Sequence, residues 1–194
     1  MIVHLSALVQ EKFLFLNKFL HSPKEVGSIT PSSKYLAQAL TRSIPWDLVQ
    51  SVAELGSGTG AVTKQIKLAS KGQTRILLFE KEPVLRKQLA LQYPQYGCHP
   101  DATDIQGALG VEGIGQLDAI ISGLPFFNFP EELRIKLMDE IAASLKPGGL
   151  FVAFQYSLQM KQLLKHYFHI EQIKVVPLNL PPAFVYVCRK KELE

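Results

Sequence analysis

Glu54, Gly56, Gly58 and Gly60 fall close together in Val52-Ala53-Glu54-Leu55-Gly56-Ser57-Gly58-Thr59-Gly60-Ala61. Glycines at alternate positions clear the Cβ atoms from one side of a turn. A ligand can then lie against the backbone, beside the N–H groups that open a following helix. An ordinary tight turn needs a single glycine, so this spacing points to a ligand. Glu54 adds a carboxylate at the end of an apolar run, where burial is costly unless a cation or hydrogen-bond donor meets it. A second apolar run, Arg75 to Phe79, also ends in an acid, Glu80, with Lys81 beside it. In a right-handed βαβ unit that spacing sets the Glu80 carboxylate where the two hydroxyls of a nucleotide ribose can donate to it.

The second chemical stretch is Leu117-Asp-Ala-Ile-Ile-Ser122-Gly123-Leu124-Pro125-Phe126-Phe127-Asn128-Phe129-Pro130. Asp118 to Ile121 reads as a strand, and Ser122 to Phe127 as the loop at its C-terminal end. That edge is where open α/β sheets bind ligands. Backbone carbonyls held by a proline can accept the N–H protons of a nitrogen nucleophile, and aromatic rings can stabilise a cation formed on it. The same residues would also serve as ordinary core.

The elements that must hold these loops follow from pattern. The chain has 194 residues, 47% of them hydrophobic, enough for one full core. Cys98 and Cys188 lack metal-ligand spacing and fit a reducing compartment. The net charge of +4 permits an anionic partner without naming one. On a helix, Ile2, Leu5, Val9, Phe13, Leu16 and Leu20 form one ridge, flanked by Leu8, Phe15 and Phe19, with Ser6, Gln10, Glu11, Asn17 and Lys18 mostly opposite. His4, Glu11, Lys12, Asn17 and Lys18 interrupt it, so it is neither a transmembrane span nor a signal peptide. It reads as a cap helix or an in-plane membrane anchor, with Lys12 and Lys18 placed to meet anionic lipid. Pro31, Ser32 and Ser33 start another helix, with Tyr35, Leu36, Ala39 and Leu40 as its apolar face and Pro45 as its stop. Helices are expected over Val62 to Ala69, Pro83 to Gln92, Glu131 to Leu145 and Leu158 to His166. Strands are expected at Val52 to Leu55, Arg75 to Glu80, Leu150 to Tyr156, Phe168 to Val176 and Ala183 to Arg189. Gly97 to Asp104 reads as a turn. His99, His166 and His169 have no companion ligands, and no metal is expected.

The segment from Gly56 to Ala61 can be fitted to the dinucleotide fingerprint Gly-x-Gly-x-x-Gly/Ala. The fuller Glu-x-Gly-x-Gly-x-Gly resembles the first motif of class I S-adenosylmethionine-dependent methyltransferases, whose ligand carries an ammonium, a carboxylate and a sulfonium. Ser-Gly-Leu-Pro-Phe-Phe resembles the amine-methylating loop of two families within that class, the ribosomal-RNA adenine dimethyltransferases and the bacterial phospholipid N-methyltransferases. The following Asn128-Phe129-Pro130 is closer to the second. So are Val26-Gly-Ser-Ile-Thr-Pro-Ser-Ser33 and Asn179-Leu-Pro-Pro-Ala183, whereas Ser122 stands where the RNA enzymes carry Asn.

The resemblance implies an α/β, Rossmann-like fold with a seven-stranded, mostly parallel sheet, a C-terminal antiparallel strand and an N-terminal amphipathic helix. Residues 1–45 would be a helical cap and membrane-association segment, and 46–194 the methyltransferase domain. Glu54, Gly56, Ser57, Gly58, Thr59, Gly60, Glu80 and Lys81 would bind S-adenosylmethionine. Asp101 and Ala102 would meet the adenine, and Ser122 would touch both donor and acceptor. Leu124, Pro125, Phe126 and Phe127 would form the amine loop, with Tyr35, Tyr156 and Asn179 around the headgroup. The implied activity is methyl transfer to the headgroup amine of a phospholipid such as phosphatidylethanolamine. The enzyme would be cytoplasmic and peripheral on the inner face of the membrane. Two other readings stay open: an RNA adenine methyltransferase, which the lack of a clustered basic patch and of an appended RNA-gripping domain disfavours, and a non-catalytic, membrane-attached module that binds S-adenosylmethionine.

Overall fold

The computed structural model describes residues 33–191, apart from Lys71 and Gln73. The expected helix from Ile2 to Leu20 and the segment Val26 to Ser32 lie outside the described residues. In chain order the elements are α1 (Lys34–Thr41), β1 (Ser51–Leu55), α2 (Ala61–Ser70), β2 (Arg75–Phe79), α3 (Pro83–Gln92), β3 (Gly97–His99) and α4 (Ile105–Glu112). Then come β4 (Leu117–Ser122), a 3-10 turn (Phe126–Asn128), α5 (Glu131–Ser144), β5 (Leu145–Gln155), α6 (Lys161–Tyr167), β6 (Phe168–Val176) and β7 (Ala183–Lys190).

The strands form one seven-stranded sheet in the order β3-β2-β1-β4-β5-β7-β6. Pairings from β3 through β5 are parallel, and β7 runs antiparallel to both β5 and β6. The order reverses between β1 and β4, the switch point at which open α/β sheets bind ligands. The central strand β1 is buried along its whole length, which is why its sequence reads as an apolar run.

Alternate residues feed two cores. Ala53, Leu55, Leu77, Phe79, Ile120, Phe151 and Ala153 face Ile105 and Leu109 of α4, Leu137, Met138 and Ile141 of α5, and Leu164 of α6. Val52, Ile76, Leu78, Ala119, Ile121 and Val152 face Leu36, Ala37 and Leu40 of α1, Val62 and Ile66 of α2, and Leu89 of α3. The result is a three-layer sandwich, and α1 shares its core. On α1 the buried face is Leu36, Ala37, Leu40 and Thr41, so Tyr35, expected on that face, is 53% exposed.

Polar caps set the helix starts. Ser33 Oγ accepts from Leu36 N (3.1 Å), Glu82 Oε2 from Leu85 N (2.8 Å) and Asp104 Oδ1 from Gly107 N (3.2 Å). At the edge remote from the ligand loops, Asp118 accepts from Gln50 N, Ser51 N and Lys146 Nζ (2.9, 3.0 and 2.6 Å). Burial works against its ionisation, but these donors outweigh it and hold the carboxyl below its ordinary range. The Lys146 tie also explains a boundary. Strand β5 begins at Leu145, opposite Leu117, and Lys146 to Gly149 form an irregularity before the register resumes at Leu150 opposite Ala119. The helix expected to reach Leu145 therefore ends at Ser144.

Two further elements differ from the sequence reading. Gly97 to His99 pairs with β2 as a short strand rather than a turn. Ile105 to Glu112 is a helix although Gly107 and Gly110 lower its propensity, and it packs through Ile105, Ala108 and Leu109.

Candidate functional site

Strand β1 delivers Glu54 into the layer that α2 covers. The carboxyl is 2% exposed, and Thr63 in the first turn of α2 meets it, Oγ1 donating to Oε2 at 2.6 Å. Burial raises the pKa of Glu54 from 4.5 to about 8. The hydroxyl and N–H of Thr63 oppose that rise, and Glu80 adds to it. The partner that a buried carboxylate requires is thus a hydroxyl, and among the described residues no cation pairs with it.

The turn after β1 is held by its own N–H groups. Gly56 N and Ser57 N donate to Phe79 O (2.8 and 3.1 Å), Gly60 N to Ser57 O (2.9 Å), and Gly58 N to Glu80 Oε2 (2.7 Å). Together these bonds close the turn and fasten it to the end of β2. Glu80 also takes Glu82 N on Oε1 (2.9 Å). A carboxylate offers about four lone-pair sites, so both oxygens can still accept from hydroxyls. Ser57 is buried, Thr59 and Lys81 are exposed, and Gly58 is half-buried.

Two glycines show how the site is shaped. At Gly58 (φ +54°) a Cβ would meet nothing within 4 Å, so that side of the turn is an open cradle. At Gly56 (φ +73°) a Cβ would stand 2.9 Å from Leu124 Cδ2, and at Gly123 one would stand 3.2 Å from Gly56 O. The turn after β1 and the loop after β4 therefore press against each other, with Gly123 N donating to Leu55 O at 2.8 Å.

In that second loop Ser122 is fully buried and its Oγ accepts from Leu124 N at 3.2 Å, so the hydroxyl folds the loop. Leu124 and Pro125 are half-buried. The two adjacent rings part company. Phe126 is 1% exposed and packs edge-on against Phe129 and Phe151, centroids 6.3 and 6.1 Å away. Phe127 is 45% exposed. Phe126 therefore belongs to the core, and Phe127 is the exposed ring of the pair.

Asp101 and Ala102 follow β3. Asp101 is exposed, with Oδ1 accepting from Thr103 N at 2.8 Å, while Ala102 packs against the core near α4. A shallow depression beside them is lined by His99, Pro100, Asp101, Asp104, Gly107, Ala108 and Val111.

The third group comes from distant parts of the chain. Asn179, 4% exposed, accepts from Ser33 N on Oδ1 (3.3 Å) and donates from Nδ2 to Pro181 O (2.8 Å). Burial pushes the Tyr156 phenol above its ordinary value, and the neighbouring Asn179 amide pulls it part of the way back. Asn179 is therefore a bracket joining the start of α1, the β6–β7 loop and the end of β5, while Tyr35 stands exposed on α1.

Sequence reasoning missed Thr63 and Gln155. Gln155, 5% exposed, ends the apolar run of β5, and its Nε2 donates to Leu124 O at 3.0 Å. A lone amide closing an apolar strand was a visible signal. Thr63 had none, because its role depends on where α2 crosses β1.

A ligand with a cationic group and a ribose fits these residues. The Gly58 cradle is open, Glu54 has no cationic partner among the described residues, and Glu80 keeps acceptor capacity. Ornithine lipid N-methyltransferase of Singulisphaera acidiphila is 33% identical over 186 residues, covering 93% of this chain and 97% of that protein. Among solved structures, 1,6-didemethyltoxoflavin-N1-methyltransferase of Burkholderia thailandensis, with S-adenosylhomocysteine bound, superposes with a TM-score of 0.65 at 15% identity, covering 97% of this chain and 90% of that one. The N-methyltransferase NodS of Bradyrhizobium japonicum, also with S-adenosylhomocysteine, superposes at 0.64 and 13% identity, covering 93% and 99%. The fold is thus the class I methyltransferase fold. No family model matches the chain.

Proposed function

We propose a lipid headgroup amine as the methyl acceptor of this chain, which belongs to the N-methyltransferase family of the ornithine lipid enzyme. The methyl donor is S-adenosylmethionine. When bound, it supplies an electrophilic methyl on a sulfonium, whose C–S bond breaks with its electron pair staying on sulfur. The open side of the turn at Gly58 takes the donor, Glu54 favours its cationic end, and Glu80 accepts from the ribose. The loop pressed against that turn, Gly123 to Phe127, holds the acceptor nitrogen in line, so alignment is the main catalytic contribution. The amine must arrive neutral, because an ammonium has no lone pair. As the new N–C bond forms, the exposed Phe127 ring stabilises the positive nitrogen, and its surplus proton leaves to water.

The observation that carries lipid over nucleic acid is the chemistry of the sheet edge around the acceptor. The loops Leu124 to Pro130, Tyr156 to Met160 and Pro177 to Pro182 contain no charged residue. They and α1 expose Tyr35, Phe127, Leu158, Leu178 and Leu180. The neighbouring charges are Lys34 and Lys161 at the starts of α1 and α6, and Glu131 and Glu132 at the start of α5. Nucleic-acid binding draws its affinity from phosphate-neutralising Lys and Arg, whereas an exposed apolar rim with no basic cluster beside it suits a bilayer surface. The enzyme then works as a peripheral protein on the inner face of the cytoplasmic membrane. Its acceptor is phosphatidylethanolamine or an aminolipid such as the ornithine lipid for which the relative is named. The test offers donor labelled in its methyl group, with vesicles containing each lipid and with unmodified ribosomal RNA. Label in a lipid fraction is expected. Label in RNA alone would transfer the reading to the adenine enzymes, and label in neither would favour a binding module.

A further inference from the structure

Strand β5 runs from Leu150 to Phe154 without a polar side chain and then ends in Gln155, which is 5% exposed. Its Nε2 donates to Leu124 O at 3.0 Å and to Phe154 O at 2.5 Å. Turning the amide over would set its oxygen against two carbonyl oxygens, so these contacts fix which end is which. Oε1 accepts no hydrogen bond among the described residues. Among the described residues the fully buried side-chain atoms without a partner are Ser70 Oγ and Ser144 Oγ, and Oε1 is not one of them. A nearly buried side chain is thus clamped at one end and leaves a free acceptor at the other. It sits beside the loop that holds the reacting nitrogen.

The same bonds occupy other acceptors of the loop. Leu124 O takes both Phe126 N (3.0 Å) and Gln155 Nε2, which fills its two lone pairs, and Pro125 O takes Asn128 N (2.9 Å). Gly123 O receives no donor among the described residues. Among the described residues Gln155 Oε1 and Gly123 O thus take no donor at all, while Pro125 O keeps one lone pair.

We propose that Gln155 binds the acceptor amine, Oε1 taking one N–H of a neutral primary amine while Gly123 O takes the other. This deepens the lipid-amine reading and rests on it. A primary amine with both N–H groups held has its lone pair as the remaining direction, and that pair is what must face the methyl group. The neutral amide also suits the protonation state required. A carboxylate at this position would favour the ammonium, which cannot attack, whereas an amide oxygen accepts from the neutral amine without selecting the cation. The dependence on Gln155 therefore falls with each methyl added, because a monomethylated amine has one N–H to give and a dimethylated amine none.

The experiment compares wild type with Gln155→Leu on vesicles whose headgroup amine is unmethylated, monomethylated or dimethylated. Loss of a hydrogen bond to a nitrogen that becomes charged predicts a fall in kcat/KM of about ten- to a hundredfold for the primary amine. The fall shrinks for the monomethyl lipid and vanishes for the dimethyl lipid, with S-adenosylhomocysteine affinity unchanged. An equal fall on all three acceptors would show that Gln155 only supports the loop and would overturn the proposal. If the variant does not fold, the wild-type side-chain amide signal of Gln155 is followed by NMR during titration with short-chain lipids. A shift with the primary amine but not with the dimethylated one supports the contact, and no shift with either overturns it. Failure of the wild type to methylate any of the three lipids would instead remove the lipid-amine reading, and this inference with it.

Discussion

Replacing Glu54 by Gln should make the ligand-free protein more stable at neutral pH than the wild type, and by an amount that depends on pH. The wild-type carboxyl titrates near 8 when folded, against 4.5 when unfolded, because burial outweighs the bonds from Thr63 and Glu80 adds repulsion. Between those values the unfolded chain binds fewer protons than the folded one, so unfolding becomes easier as pH rises through the window. Below 4.5 and above 8 the contribution is flat. At about 1.4 kcal/mol per pH unit, raising the pH from 5 to 7 costs the wild type about 2–3 kcal/mol through this group. Gln keeps an oxygen for the Thr63 hydroxyl but has no proton to lose. Groups elsewhere titrate alike in both proteins and cancel in the difference. Urea unfolding at pH 5, 6 and 7 should therefore show Gln gaining about 2–3 kcal/mol on Glu across the range. A difference constant to within about 0.5 kcal/mol would refute the claim that Glu54 folds uncharged. The same reasoning predicts that S-adenosylhomocysteine, whose ammonium favours the carboxylate, displaces a proton on binding at pH 7. Its binding enthalpy should then vary with the ionisation enthalpy of the buffer.

Gly58→Val should abolish binding of S-adenosylhomocysteine in a folded protein, since it fills the open cradle and strains a φ of +54°; unchanged affinity by calorimetry would count against the site. Phe126→Ala should lose about 3–5 kcal/mol of stability as a core truncation, whereas Phe127→Ala should keep its stability and lose about tenfold in turnover. Denaturation and steady-state rates separate the two, and the opposite assignment would mean that the buried ring serves the acceptor. Leu178→Glu with Leu180→Glu should abolish flotation with anionic vesicles while S-adenosylhomocysteine still binds. Undiminished flotation would leave the apolar rim without a membrane role.

The turn on which the proposed donor site rests was legible because it is local: a glycine-rich turn between a buried strand and a helix carries its meaning within ten residues or so. The partners that fasten the turn, Phe79 O and Glu80, were not legible there, since they lie at the end of a strand some twenty residues on. The acceptor half depends on tertiary contacts. Which of Phe126 and Phe127 turns inward follows from the 3-10 turn that Pro125 O and Asn128 N close, and adjacency alone cannot choose between them. Asn179 could be read as a headgroup contact or as a turn, and the structure makes it a bracket to Ser33, a partner 146 residues away. Gly107 and Gly110 masked α4, whose burial overrides its poor propensity.

The central claim is that the transferred methyl ends on a lipid headgroup nitrogen. It is tested most directly by mass spectrometry of the lipid recovered from a reaction of the purified chain, deuterated-methyl S-adenosylmethionine and mixed vesicles of phosphatidylethanolamine and ornithine lipid, with ribosomal RNA present as competitor. The account predicts that fragmentation finds the deuterated methyl on the headgroup amine of one of the lipids, with none in the RNA and none in the Gly58→Val control. Deuterium in RNA adenine, or in neither substrate while the donor remains bound and intact, would contradict it.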